Sequence, residues 1–115
     1  TEIEAGAAAT AVLAGERRIL DAAGGDHTAA FREGARIAVA TARVRGCRFA
    51  LLTEGSPSCG VELVADGSFS GRRRTGEGVT TAALRAAGLE VFSPTDIDAL
   101  AARLAAVAGE IGRDD

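Results

Sequence analysis

Two hydroxyl groups and one thiol lie within four residues of each other, directly after a dense apolar stretch of the sequence. Ser56, Ser58 and Cys59 carry these groups, and Pro57 and Gly60 favour a tight turn around them. The pattern predicts the end of a buried strand opening into a polar loop. In open α/β sheets, ligands bind beyond the carboxyl ends of the strands. We therefore take residues 56–60, called the Ser-Cys turn below, as the candidate site.

Cys59 carries the most reactive group of this turn. As a thiolate, it could bind a soft metal ion or an iron–sulfur cluster, or act as a nucleophile. Cys47 would start the preceding strand, roughly 20 Å away at about 3.3 Å per residue, so the two thiols are not expected to share a metal or a disulfide. We expect Cys47 to be a small core residue. A purely structural role for Cys59 in a tight turn remains equally open.

Other site chemistries fit the sequence less well. A nucleophile elbow requires Gly-x-Ser-x-Gly, but Ser56 stands where the first glycine would be. A phosphate-binding P-loop requires lysine, which the chain lacks, and the one histidine is His27, far along the chain from the turn. Arg72–Arg74 could bind an anion or form a solvated hairpin tip. Glu54 and Asp66 could be acid–base groups or simply turn residues.

The length and charge of the chain limit the classes of protein to which it can belong. With 115 residues, the chain is expected to form a single α/β domain over residues 1–115. Its net charge of −3 argues against a nucleic-acid partner, and no apolar run approaches the ~18 residues of a membrane helix. Two cysteines without a recognisable leader are typical of the reducing cytoplasm, where we expect the protein to be located.

The elements that position the Ser-Cys turn follow from hydrophobic periodicity and turn residues. The Cys47–Thr53 segment, apolar on both faces, predicts a central parallel strand that leads into the turn. The other predicted elements are a short hairpin or paired strands over Val12–Asp21, a helix from Thr28 to about Gly46, a hairpin over Val61–Gly71, a helix over Val79–Ala87, a strand over Leu89–Phe92 and a helix from Pro94 onward. A short helix over Ala5–Leu13 is the alternative for the start of the first of these, although Gly6 disfavours it.

Right-handed crossovers would place the Cys47–Thr53 and Leu89–Phe92 strands side by side and parallel. The predicted fold class is therefore α/β. We expect a small three-layer domain with a mostly parallel sheet, helices on both faces and an appended β-hairpin.

Four motifs in this order resemble the thiouracil desulfidase family. They are Ser56–Gly60, Asp66–Gly71, Gly76–Thr80 and Gly88–Ser93. The resemblance implies a 4Fe–4S cluster held by three cysteines, with one iron open to take sulfur from a thiolated pyrimidine. It further implies that Cys59 is a metal ligand, that Ser56 is catalytic, and that Ser58 and Gly60 bind substrate.

The sequence also departs from the family pattern. Two further cluster cysteines and a glutamate in a Cys-Pro-Glu-like stretch have no counterpart here, and Thr53 replaces a common lysine. We expect the chain to be the truncated C-terminal portion of a longer desulfidase-like protein, inactive by itself. Its partners would be a thiolated nucleobase or similar small molecule and, through uncovered sheet surface, a second copy. The alternatives are a non-catalytic module that binds a small ligand or protein, and a redox-sensing thiol at Cys59.

Overall fold

The structure, a computed structural model, describes residues 1–113, with side chains through Gly109. The helices are α1 (Ala9–Leu13), α2 (Thr28–Val44), α3 (Val79–Ala86) and α4 (Ile97–Arg113), with a 3₁₀ turn at Pro94–Asp96. The strands are β1 (Glu2–Ile3), β2 (Ile19–Leu20), β3 (Phe49–Leu51), β4 (Leu63–Ala65), β5 (Arg73–Thr75) and β6 (Glu90–Phe92). The mixture of helices and strands confirms the predicted α/β class.

The parallel pairing of the two apolar strands is confirmed. Strands β3 and β6 run parallel, with Phe49 opposite Glu90 and Leu51 opposite Phe92. The strand arrangement is looser than one mostly parallel sheet, because β1 and β2 form one separate antiparallel pair and β4 and β5 another. The described strands are only two or three residues long, and each pairs with one other strand.

The appended hairpin forms, but the predicted return strand at residues 68–71 is wrong. The return strand is β5, in which Thr75 lies opposite Leu63. The Asp66 side chain accepts hydrogen bonds from the backbone N–H and the hydroxyl of Ser68, which holds the intervening residues in a loop. Arg73 and Arg74 belong to strand β5, so they do not form the tip of the hairpin.

The predicted hairpin over Val12–Asp21 is also wrong. Its first half is the short helix α1, in agreement with the alternative helix that ends at Leu13, and Gly15 follows the helix with a φ of 82°. Its second half, β2, pairs instead with β1 at the start of the chain. The Glu4 side chain accepts the backbone N–H of Arg18 and helps to hold these segments together.

Two buried clusters hold the elements that carry the site. In the first, small and branched residues of α1, α2 and α3 pack on β1 and β2, with Val12, Ala35 and Val79 fully buried. The second joins α2 and α3 to one face of the β3–β6 pair around Leu84 and Leu89. Alanines of α2 at these contacts allow the helices to approach each other closely. Close contacts are needed because the sequence has few large aromatic side chains to fill a wider core.

Helices lie on both faces of the β3–β6 pair. Ala50 belongs to the α2–α3 cluster, and its neighbour Phe49 therefore points to the opposite face. There Arg103 of α4 lies 5.9 Å from the centre of the Phe49 ring and 3.1 Å from a carboxylate oxygen of Glu90. Helix α4 thus contributes the third layer.

Strand β3 is less buried than a central strand. Leu51 is 46% exposed, and Cys47 just before the strand is exposed as well, so its predicted role as a core residue is wrong. The cause is that β3 pairs with one strand only among the described residues. Within residues 1–113, no helix is both long and apolar enough to cross a bilayer.

Candidate functional site

The Ser-Cys turn is a single helical turn that its first residue caps. The backbone N–H of Gly60 donates to the carbonyl oxygen of Ser56 at 3.0 Å. The backbone N–H of Cys59 donates to the Ser56 hydroxyl oxygen at 2.7 Å. This is the arrangement of a serine helix cap, in which the hydroxyl accepts and keeps its own proton available for a further acceptor.

The N-terminus of α3 docks directly onto this turn. The backbone N–H groups of Gly78, Val79 and Thr80 donate to carbonyl oxygens of residues 60, 57 and 58 at 2.8, 2.8 and 2.9 Å. The first N–H groups of a helix have no partner within the helix itself. Here the turn supplies those partners, so the position of the turn and the start of α3 are fixed together.

Two glycines permit this close contact. A Cβ atom on Gly78 would lie 2.3 Å from the carbonyl carbon and oxygen of Ser58, and one on Gly60 would lie 2.4 Å from the carbonyl oxygen of Leu63. Gly78 has an ordinary φ of −79°, so the need for glycine there comes from space alone. The structure thus gives Gly60 a clear packing role, and its binding of substrate remains a prediction.

A short chain of polar side chains starts at the thiol. The Cys59 sulfur lies 3.6 Å from the Ser58 hydroxyl oxygen, which lies 2.8 Å from the Thr80 hydroxyl oxygen. Thr80 is buried, and Cys59 is half-buried. Sequence reasoning did not assign a role to Thr80; the only signal was its place at the end of the Gly76–Thr80 motif.

Glu54 anchors the far side of the turn. Its carboxylate accepts the backbone N–H groups of Val61, Glu62 and Leu63 at 2.6, 3.0 and 3.3 Å. Burial would raise the pKa of Glu54, but these three donors and the nearby charge of Arg73 outweigh it and lower the pKa. The carboxylate is therefore an ionised structural anchor, and a role as proton carrier does not fit it.

The structure brings Ser56, Ser58 and Cys59 together in one turn, at the position that the sequence predicts. Cys47 is outside the site, at the opposite end of β3. The thiol of Cys59 is suited to be one ligand of an iron–sulfur cluster, because it is half-buried, rigidly held and near a hydroxyl. Among the side chains that the structure describes, through Gly109, no group of three His, Cys, Asp or Glu residues lies close enough together to hold a metal ion.

Comparison with known proteins identifies the class to which this fold and turn belong. The model of the family described as 2-thiouracil desulfurase matches residues 2–96. The chain therefore belongs to the 2-thiouracil desulfurase family, as its motifs predicted.

Two relatives are similar over most of the chain. The uncharacterized protein YbbK of Bacillus subtilis (strain 168) is 40% identical over 87 residues, which are 76% of this chain and 58% of YbbK. The solved structure of the 4Fe–4S-dependent thiouracil desulfidase TudS is 44% identical, with a TM-score of 0.75, and the match covers 76% of this chain and 58% of TudS. The fold is thus shared with TudS, and the chain spans 58% of the length of each relative. Helix α4 lies beyond the residues that the family model matches.

Proposed function

We propose that this chain supplies the cysteine-bearing turn of an iron–sulfur-dependent enzyme that removes sulfur from thiolated pyrimidines. Family membership supports the reaction class, and the dependence of TudS on a 4Fe–4S cluster supports the cofactor. The observation that carries the proposal is the Cys59 thiol, held rigidly between the Ser56 cap and the Ser58 hydroxyl. An iron–sulfur cluster would supply a soft Lewis acid for the sulfur atom of the substrate.

The residues of the turn have separate proposed roles. Cys59 is one cluster ligand, and a hydrogen bond from Ser58 would stabilise its anionic sulfur. Ser56 is the catalytic residue: its oxygen accepts the N–H of Cys59, which leaves its proton free to donate to a bound ligand. Ser58 and Gly60 line the substrate site.

We further propose that the 115-residue chain is incomplete as an enzyme. The sequence holds two cysteines, and they lie at opposite ends of β3 and its loop. A cluster would therefore need ligands from outside this sequence. The exposure of Leu51, Ile97 and Leu104 supports a further interface, and association of two copies of the chain is the arrangement that we propose for it. A cytoplasmic location is part of the same proposal, because clusters with open iron sites are best preserved under reducing conditions.

The complete gene product tests the proposed reaction. After anaerobic reconstitution with iron and sulfide, it should become brown and release sulfide from 2-thiouracil, and its Ser56→Ala variant should keep the colour while kcat falls about a hundredfold. The 115-residue chain, treated in the same way, should release no sulfide above the protein-free level. A colourless complete product with intact cysteines would overturn the proposal, and turnover by the isolated chain would overturn its incompleteness.

One observation favours a second function, a non-catalytic binding module. The Ser56 hydroxyl and the Glu54 carboxylate both bond backbone N–H groups, as residues of a purely structural turn do. In that case, Cys59→Ala would leave both stability and ligand binding unchanged in the complete protein, whereas the desulfidase proposal requires loss of turnover.

A further inference from the structure

A groove of about 550 Å³ begins where the Ser-Cys turn ends. Val61, directly after the turn, and Leu63 give it apolar lining, and Thr75, Glu77 and Arg85 give it polar groups. Its size matches that of small-molecule sites in proteins, and a mixed lining of a few polar groups on an apolar surface is typical of them.

Hydrogen bonds hold the two sides of this groove in place. The backbone N–H of Gly76 donates to the carbonyl oxygen of Glu62 at 2.9 Å, and Leu63 pairs with Thr75 across the β4–β5 ladder. On the other side, Glu77 directly precedes Gly78, which packs on the backbone of Ser58. The groove is therefore preformed, and its lining segments directly adjoin the turn that carries Cys59 and the glycine that packs on it.

The Glu77–Arg85 ion pair gives the groove its chemical character. One guanidinium nitrogen of Arg85 lies 2.5 Å from a carboxylate oxygen of Glu77, and the two side chains remain 42% and 29% exposed. A guanidinium has five N–H donors and a carboxylate about four acceptor sites, so one hydrogen bond leaves most of both unused. The pair thus presents a donor and an acceptor side by side.

A ligand that matches this pair has a carbonyl group next to an N–H group. Such an acceptor–donor edge is the imide edge of an oxo- or thio-pyrimidine ring, and the ring faces would contact Val61 and Leu63. A phosphate or carboxylate ligand fits less well, because Glu62 and Glu77 place two negative charges on the groove against the one positive charge of Arg85.

We propose that this groove binds the pyrimidine ring of the substrate, with the ring N–H donating to Glu77 and the adjacent carbonyl accepting from Arg85. The inference rests on the proposed function and extends it, since it assigns Glu77 and Arg85 as specificity-determining residues. Both lie outside the Ser-Cys turn, and neither is a candidate cluster ligand.

Uracil tests the groove without involving sulfur or iron. In an NMR titration of the ¹⁵N-labelled 115-residue chain, uracil should shift the amide signals of Glu62, Gly76 and Glu77. The probe 1,3-dimethyluracil keeps the carbonyls but has no N–H, and it should bind about tenfold more weakly or not at all. Glu77→Ala should weaken uracil binding by about tenfold as well.

The matched control is Glu33→Ala. This change removes an exposed ion pair of the same kind on α2, in which Glu33 and Arg36 lie 2.5 Å apart. It should leave uracil binding unchanged. Equal binding of the two probes, or uracil-induced shifts away from the groove only, would overturn the inference. The two proposals fail separately. A complete product that releases sulfide with the same KM after Glu77→Ala would refute the groove alone. A complete product that binds uracil in the groove but forms no cluster after reconstitution would refute the enzyme alone.

Discussion

Replacing Gly78 with alanine is expected to lower the free energy of unfolding by about 3 kcal/mol. The new Cβ atom would lie 2.3 Å from the carbonyl carbon and oxygen of Ser58 and 2.8 Å from the backbone nitrogen of Cys59. These are backbone atoms within a hydrogen-bonded turn, so they cannot move aside as a flexible side chain can. Alanine can adopt the φ of −79° at this position without strain. The loss of stability would therefore come from the steric contact of the new Cβ atom alone.

The control is Gly34→Ala within α2, where a Cβ atom meets nothing within 4 Å. Alanine is the better helix former, so this change should raise the free energy of unfolding by about 0.5–1 kcal/mol. Urea denaturation at neutral pH measures the free energy of unfolding of both variants and the wild type. If all three proteins have the same m-value, a shift in the midpoint reports a change in stability. Since the turn would loosen, alkylation of Cys59 should also become faster in Gly78→Ala. A Gly78→Ala protein as stable as the wild type would contradict the docking of α3 on the turn.

Replacing Glu54 with glutamine should cost about 2–3 kcal/mol at pH 7. The carboxylate accepts three backbone N–H groups from the start of the hairpin, and glutamine would offer them one neutral oxygen and one mismatched amide group. Because the segment that follows the Ser-Cys turn depends on this anchor, the groove beside it should be disturbed as well.

The pH dependence of this loss follows from the lowered pKa of Glu54. The carboxylate stabilises the fold above the pKa of an unfolded glutamate, about 4.3, and this contribution is lost as the pH falls through the lower folded-state pKa. The difference in stability between the wild type and Glu54→Gln should therefore be constant near neutrality and shrink in acid. Urea denaturation from pH 7 down to acid measures it, with Glu33→Gln on the exposed face of α2 as a control that should change little. A difference that does not change with pH would show that the charge of Glu54 is unimportant.

The parts of the fold that sequence predicts well are those with local causes. Helix α2 lies over Thr28–Val44, because the amphipathic spacing acts within a few residues and Asp26 accepts the backbone N–H of Thr28 at the start of the helix. The Ser-Cys turn is also local, since Ser56 caps a residue three positions later. The family motifs then placed this turn in a functional context that composition alone does not give.

The parts that sequence misses depend on long-range contacts. Strand β5 has no apolar alternation, and it forms because Thr75 and Arg73 pair with β4 and a guanidinium nitrogen of Arg74 donates to the distant carbonyl of Ala7. The contact of Thr80 with Ser58 likewise joins residues 22 positions apart. Cys47 lies between α2 and β3 and is exposed, and the apolar residues that follow it in the sequence do not reveal this.

The measurement that tests the central claim most directly is the iron and acid-labile sulfide content of the reconstituted complete gene product carrying Cys59→Ser, beside the matched variant Cys47→Ser. Cys59 lies in the rigid turn, whereas Cys47 is exposed outside it. We expect Cys59→Ser to lose the brown absorbance, most of the iron and the release of sulfide from 2-thiouracil, and Cys47→Ser to retain all three. A Cys59→Ser protein with full iron content and unchanged turnover would contradict the assignment of this turn to the cluster.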